Sequence, residues 1–245
     1  MDFESFFKLH TGIPREGPGS DEATLEALRR LPPLPDSPRV LDIGCGPGKQ
    51  TLIVARELGV PMIGVDYFGH FLDVLSTSAK AAGLGHLIAT RQADMAVLGE
   101  PPGSIDLIWC EGAIYIVGFE EGLRLWRPML RDGGIVVASD ATWLVEEPPS
   151  EIRAYWERMY PAITDVAENV RRAEAAGYEV FDHFVLPREG WWTEYYAPLK
   201  ERSAQLRPTA DERLIAILDE NDEEIAMWER YGDSFSYVFY LMRKV

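Results

Sequence analysis

Val40-Leu41-Asp42-Ile43-Gly44-Cys45-Gly46-Pro47-Gly48 joins a short apolar run, carrying one acid, to three alternating glycines. It reads as a buried strand that turns sharply into a helix. Glycine lacks a Cβ, so the backbone can take positive φ and a bulky ligand can approach the main chain. Amides at the start of the following helix can engage an anionic group. A plain turn between strand and helix needs neither the acid nor all three glycines, and their joint occurrence favours a ligand loop.

Outward from this stretch the chain alternates as βαβ units do. A helix through Leu58 precedes a strand Met62–Val65, a helix 69–82, and strands near 87–92 and Ile105–Cys110. A helix near 120–130, the Asp132-Gly133-Gly134 turn and a strand Ile135–Ser139 follow. Short apolar strands in this series predict a parallel sheet with right-handed crossovers. Upstream, Leu25, Leu28 and Leu31 share a helical face after Ser20, and the Pro32–Pro38 stretch stops that helix, giving an N-terminal helical segment over 1–38. Downstream, one helix is predicted from Ser150 to Ala176, closed by Gly177, then strands 179–186 and 235–242. Between those strands lies an aromatic and helical insertion, 187–233. The whole, 1–245, reads as one domain.

The chain's 245 residues carry a formal charge of -16, with 47% hydrophobic and 11% aromatic residues. That charge repels phosphate backbones and anionic lipid, and no basic patch offsets it, so neither nucleic acid nor membrane is expected as a partner. Solubility is the plainer account of the acidity, and a preference for neutral or cationic ligands is the functional one. Cys45 and Cys110 lie in apolar or glycine-rich segments and read as core, which suits a reducing, cytoplasmic setting and argues against thiol chemistry. His10, His70, His86 and His183 show no metal-ligand spacing and read as surface or capping residues.

A dinucleotide fold is the rival reading of the glycine loop. Its fingerprint asks for Gly or Ala five residues after the first glycine, and here that place holds Lys49. The sequence instead resembles the class I S-adenosylmethionine-dependent methyltransferases, whose first motif is an acid followed by Gly-x-Gly-x-Gly. The resemblance implies a Rossmann-like three-layer α/β sandwich, with a seven-stranded, mostly parallel sheet and an antiparallel last strand. It also implies S-adenosylmethionine as cofactor and S-adenosylhomocysteine as product.

Carried over as cofactor contacts are Asp42, Gly44, Cys45, Gly46, Pro47 and Gly48, with Gln50 and Thr51 at the helix start. Asp66, eighteen residues past Gly48, ends the second strand where an acid can accept from both ribose hydroxyls. Tyr67 and Phe68 either pack on adenine or belong to the core. Asp94 and Met95 match the family's adenine site, although an acid there also forms turns.

Glu111 and Tyr115, after the fourth strand, stand where the transferred methyl should emerge. Glu111 is a candidate base or cofactor contact, or only a positioning group. The nucleic-acid amino-methylating motif, Asn/Asp-Pro-Pro-aromatic, is missing. Asp140 is followed by Ala141 rather than by the Asn of metal-dependent O-methyltransferases, so no metal is expected.

The run from Glu111 to Trp143 and the Trp192-Thr193-Glu194-Tyr195-Tyr196 cluster look like a small-molecule branch related to the quinone-biosynthesis type. Trp191, Trp192, Tyr195 and Tyr196 read either as a lid or as core, and Tyr195 is a third catalytic candidate. Trp143 falls on the face where ligands bind in open α/β sheets. The expected activity is methyl transfer to a small-molecule acceptor by a monomer or homodimer. A non-catalytic adenosyl-ligand sensor or scaffold is the alternative.

Overall fold

Alternation along the strands decides how the sheet is sandwiched. Side chains on a strand point to opposite faces with period two, and here both faces are apolar. Leu107 and Trp109 join one core with Val40, Ile135 and Val137, whereas Ile108 and Cys110 join a second with Leu41, Ile43, Val136 and Ala138. Helices cover each face. The computed structural model describes residues 2–245; Met1, the first residue of the expected domain, lies outside the described residues.

In chain order the elements are α1 (Phe3–His10), α2 (Asp21–Arg29), β1 (Val40–Ile43), α3 (Lys49–Leu58), β2 (Met62–Asp66), α4 (Gly69–Ala81), β3 (Ile88–Gln92) and β4 (Ile105–Cys110). Then come α5 (Phe119–Trp126), β5 (Leu130–Trp143), α6 (Ser150–Met159), β6 (Thr164–Asp165), α7 (Val166–Ala175) and β7 (Tyr178–Val185). The stretch between β7 and β8 (Phe235–Lys244) holds α8 (Glu189–Trp191), a π-helical turn Trp192–Tyr196, α9 (Ala197–Leu206) and α10 (Glu212–Tyr231).

The strand order is β3-β2-β1-β4-β5-β8-β7. β1 to β5 run parallel, and β8 is antiparallel to both of its neighbours, β5 and β7. This is the expected seven-stranded path with an antiparallel last strand, to which β6 adds two residues beside β5. The order reverses between β1 and β4, so the C-terminal ends of those strands flank the crevice where open α/β sheets bind ligands.

Three local expectations are corrected. The helix expected over 150–176 is two, α6 and α7, because Pro161 cannot continue a helix and the Asp165 side chain caps the second by accepting from the Glu168 amide. The Asp132-Gly133-Gly134 turn lies inside β5, as an irregularity in its pairing with β4. α1, which the sequence did not resolve as a separate helix, begins at an Asp2 cap. No helix among the described residues is long and apolar enough to cross a membrane.

Candidate active site

The glycine loop follows from its surroundings. Gly44, Gly46 and Gly48 all take positive φ, at 70°, 53° and 85°. At Gly44 a Cβ would lie 2.5 Å from the Ala113 Cβ, so the loop and the segment after β4 touch at a distance only glycine permits. Asp66 fixes the loop from the other side: its Oδ2 accepts from the Gly46 amide at 2.9 Å and its Oδ1 from the Phe68 amide at 2.9 Å. Each carboxylate oxygen retains a lone pair for a further donor. Burial raises the Asp66 carboxyl above its ordinary range.

A cavity of about 730 Å³ opens over this loop. Of the residues expected at the site, Gly44, Cys45, Gly46, Pro47, Gln50, Asp66, Tyr67, Phe68, Asp94, Met95, Glu111 and Tyr115 line it. The Asp94 Oδ1 accepts from the Ala96 amide at 2.8 Å, so the turn-forming role of this acid is also present. Tyr115 is 43% exposed and lines the cavity, and desolvation by the surrounding protein pushes its phenol up to about 12.

Asp42, Gly48 and Thr51 are placed beneath the loop rather than in the cavity wall. Asp42 is wholly buried; its Oδ2 accepts from Thr51 Oγ1 at 2.5 Å and Gln50 Nε2 at 3.2 Å, while Oδ1 has no partner among the described residues. These contacts tie β1 to the first turn of α3. Burial, opposed by the Thr51 hydrogen bond, pushes the Asp42 carboxyl up to about 8. A carboxyl raised in the folded state binds its proton more tightly there than in the unfolded chain. Stability therefore falls as pH rises from the unfolded value toward 8. Asp42→Asn is expected to flatten that fall in melting temperature measured between pH 5 and 8.

Tyr195, Trp191 and Tyr196 are buried, and none lines the cavity. Trp191 donates to Ser236 Oγ at 2.8 Å, which makes it part of the packing beneath the insertion rather than a lid. Trp143 packs edge-on against Phe235 and also stands off the cavity.

The N-terminal segment forms a strap over the cavity, of which the sequence offers only Gly17-Pro18-Gly19-Ser20, either as a loop over the cofactor or equally as a helix-leading turn. Phe6, Arg15, Glu16, Gly17 and Pro18 line the cavity. Arg15 is buried and donates to Glu194 at 2.7 Å, Asp21 at 3.0 Å and Glu111 at 3.4 Å. Glu111 also accepts from Thr24 Oγ1 and Trp109 Nε1, both at 2.8 Å. Both oxygens of Glu111 are engaged by protein donors, the arrangement of a pin between strap and sheet. Desolvation raises its carboxyl despite the neighbouring Arg15. Glu16 lies against Gly46 and pairs with His10 at 2.9 Å. His10, expected at the surface, is instead buried and stacked on Phe6. Nothing in the local pattern of residues 10–16 announces these contacts, which join parts of the chain up to 179 positions apart.

Comparison with known proteins bears on the fold that carries this cavity. Residues 40–134 match the profile of a methyltransferase domain family. The uncharacterized protein YjhP of Escherichia coli is 27% identical over 212 residues, covering 78% of this chain and 77% of that one. The ribosomal RNA large subunit methyltransferase G of Ectopseudomonas mendocina is 28% identical over 153 residues, and the alignment covers 62% of this chain but only 40% of that relative. Among solved structures, an S-adenosylmethionine-dependent methyltransferase from Geobacter sulfurreducens, in complex with S-adenosylhomocysteine, superposes with a TM-score of 0.82 at 20% identity, over 99% of this chain and 98% of that one. Residues 40–134 thus resemble a methyltransferase domain, and the chain has the fold of the S-adenosylmethionine-dependent methyltransferase it superposes on.

Proposed function

We propose that the chain transfers a methyl group from S-adenosylmethionine to a small-molecule acceptor by in-line displacement, in the cytoplasm and without a metal. The observation that carries the reading is the convergence of the glycine loop, Asp66, Asp94-Met95 and Glu111–Tyr115 on one cavity. The cradle fits the cofactor: Gly44 and Gly46 carry no Cβ to stand between the main chain and a ligand, and Asp66 and Asp94 offer acceptors along the wall.

S-adenosylmethionine supplies an electrophilic methyl on a sulfonium whose leaving group departs neutral. What remains for the protein is alignment and exclusion of water. In this reading Gly44–Pro47 hold the methionine part and Asp66 the ribose, with Asp94 and Met95 at adenine and Tyr67 and Phe68 beside it. Gln50, Thr51 and Asp42 keep the loop in shape from below, and Tyr115 borders the acceptor. The strap carrying Arg15 and Glu16 keeps water out. The buried, free Cys45 and Cys110 accord with a reducing compartment. Asp140-Ala141 lacks the second oxygen donor of the metal-dependent type.

Calorimetric titration with S-adenosylmethionine, S-adenosylhomocysteine and NAD, repeated on Asp66→Ala, tests the reading. Both adenosyl ligands should bind and NAD should not. Asp66→Ala should weaken the adenosyl ligands by ten-fold or more, about 1.4 kcal/mol or above, since two charge-assisted hydrogen bonds are lost. NAD binding, or no adenosyl binding by folded protein, sinks it. Adenosyl binding with no turnover on any acceptor favours a sensor.

A further inference from the structure

One end of the cavity carries no charged side chain. In the methyl-transfer reading the cofactor lies along the glycine loop, Asp66 and Asp94-Met95, and Tyr115, Ile116, Met159 and Tyr160 form the wall left to the acceptor. The two tyrosines meet edge to face, with ring centres 5.9 Å apart. Tyr160 is buried and its hydroxyl donates to Asp140 Oδ2 at 3.1 Å, which holds the ring in place. Their chain neighbours differ: Ile116 is 63% and Met159 48% exposed, although both line the same cavity.

Single apolar side chains are ordinary on a protein surface, but several gathered at one opening mark a place where apolar matter docks. Ile116 ends the turn after β4 and Met159 ends α6, so two separate elements bring this exposed pair to one cavity. The charged lining residues, among those described, are Arg15, Glu16, Asp66, Asp94 and Glu111. Arg15 is held by three carboxylates, and Glu16 pairs with His10. Both oxygens of Glu111 are engaged, and Asp66 and Asp94 each accept from backbone amides. A charged acceptor against the tyrosine wall gives up water and gains no counter-ion there. The sulfonium of the cofactor adds repulsion against a second cation. A neutral acceptor gains by burying apolar surface.

We propose that the methyl acceptor is an uncharged, mainly apolar molecule that lies against Tyr115 and Tyr160 and runs out of the cavity past Ile116 and Met159. This rests on the methyl-transfer reading above and names the class of acceptor for it.

The test is calorimetry on the full chain saturated with S-adenosylhomocysteine, with three probes of one chain length: octan-1-ol, octylamine and octanoate. The alcohol should bind about tenfold or more tightly than either charged probe. Along butan-1-ol, hexan-1-ol and octan-1-ol, each added methylene should tighten binding about fourfold. The double variant Ile116→Ser, Met159→Ser alters only exposed positions. It should leave S-adenosylhomocysteine affinity unchanged and weaken octan-1-ol about tenfold. The proposal is overturned if a charged probe binds as tightly as the alcohol, if octan-1-ol does not bind or gains nothing over butan-1-ol, or if the double variant binds it as wild type does. Should the double variant fail to fold, the charge and length series on the wild type decide alone. Failure of S-adenosylhomocysteine itself to bind overturns the methyl-transfer reading, and this inference with it.

Discussion

Gly44→Ala is expected to lower S-adenosylhomocysteine affinity by at least a hundredfold while the protein remains folded. Two effects combine. A non-glycine residue at φ 70° costs about 1–2 kcal/mol of backbone strain. The new methyl would also stand 2.5 Å from the Ala113 Cβ, which no rotamer change can relieve because both atoms are fixed to backbone. The loop or the 111–115 segment must retreat, and both line the cavity. Gly59→Ala is the internal control: Gly59 ends α3 at φ 66° with nothing within 4 Å of its Cβ position. That substitution should cost only the strain, and binding should be untouched. Equal loss of affinity in both variants would refute a specific role for the Gly44 approach.

Arg15→Met should be the most destabilising change outside the sheet. The guanidinium is buried among Glu111, Glu194 and Asp21, and Glu111 is itself buried. Removing one partner of a buried ionic cluster leaves an uncompensated carboxylate, at a cost of about 3–5 kcal/mol. Urea unfolding should show this loss. The gap to wild type should narrow as pH is lowered, because a protonated Glu111 no longer needs the counter-charge. A stability within 1 kcal/mol of wild type, about the worth of an exposed pair, would show that the strap is not anchored by these ion pairs.

Local chemistry made much of the fold legible. β1, β4 and α3 stand where the apolar runs and the glycine turn place them, and the parallel run of β1 to β5 follows from βαβ alternation. The misreadings share a cause. Pro161 and Asp165 carried the signal that separates α6 from α7, but the helical spacing on either side outweighed it. Asp132-Gly133-Gly134 has the composition of a turn, and only the pairing of its flanks, Leu130 and Ile135, with β4 carries the strand through it. At the site, residues in contiguous motifs reached the cavity. Arg15 and Glu16 did not announce themselves, since a lone Arg or Glu in an acidic chain looks like solvated surface until distant segments close over it. Asp42 and Thr51 belong to the motif in sequence yet serve it from beneath, a distinction that needs side-chain geometry.

A crystal structure of the chain grown with S-adenosylhomocysteine tests the central claim most directly. The account predicts the ribose on Asp66, adenine between Asp94-Met95 and Tyr67-Phe68, and the homocysteine carried over Gly44–Pro47 toward Tyr115. A ligand lying elsewhere, or one leaving Asp66 and the glycine loop without contact, would contradict it.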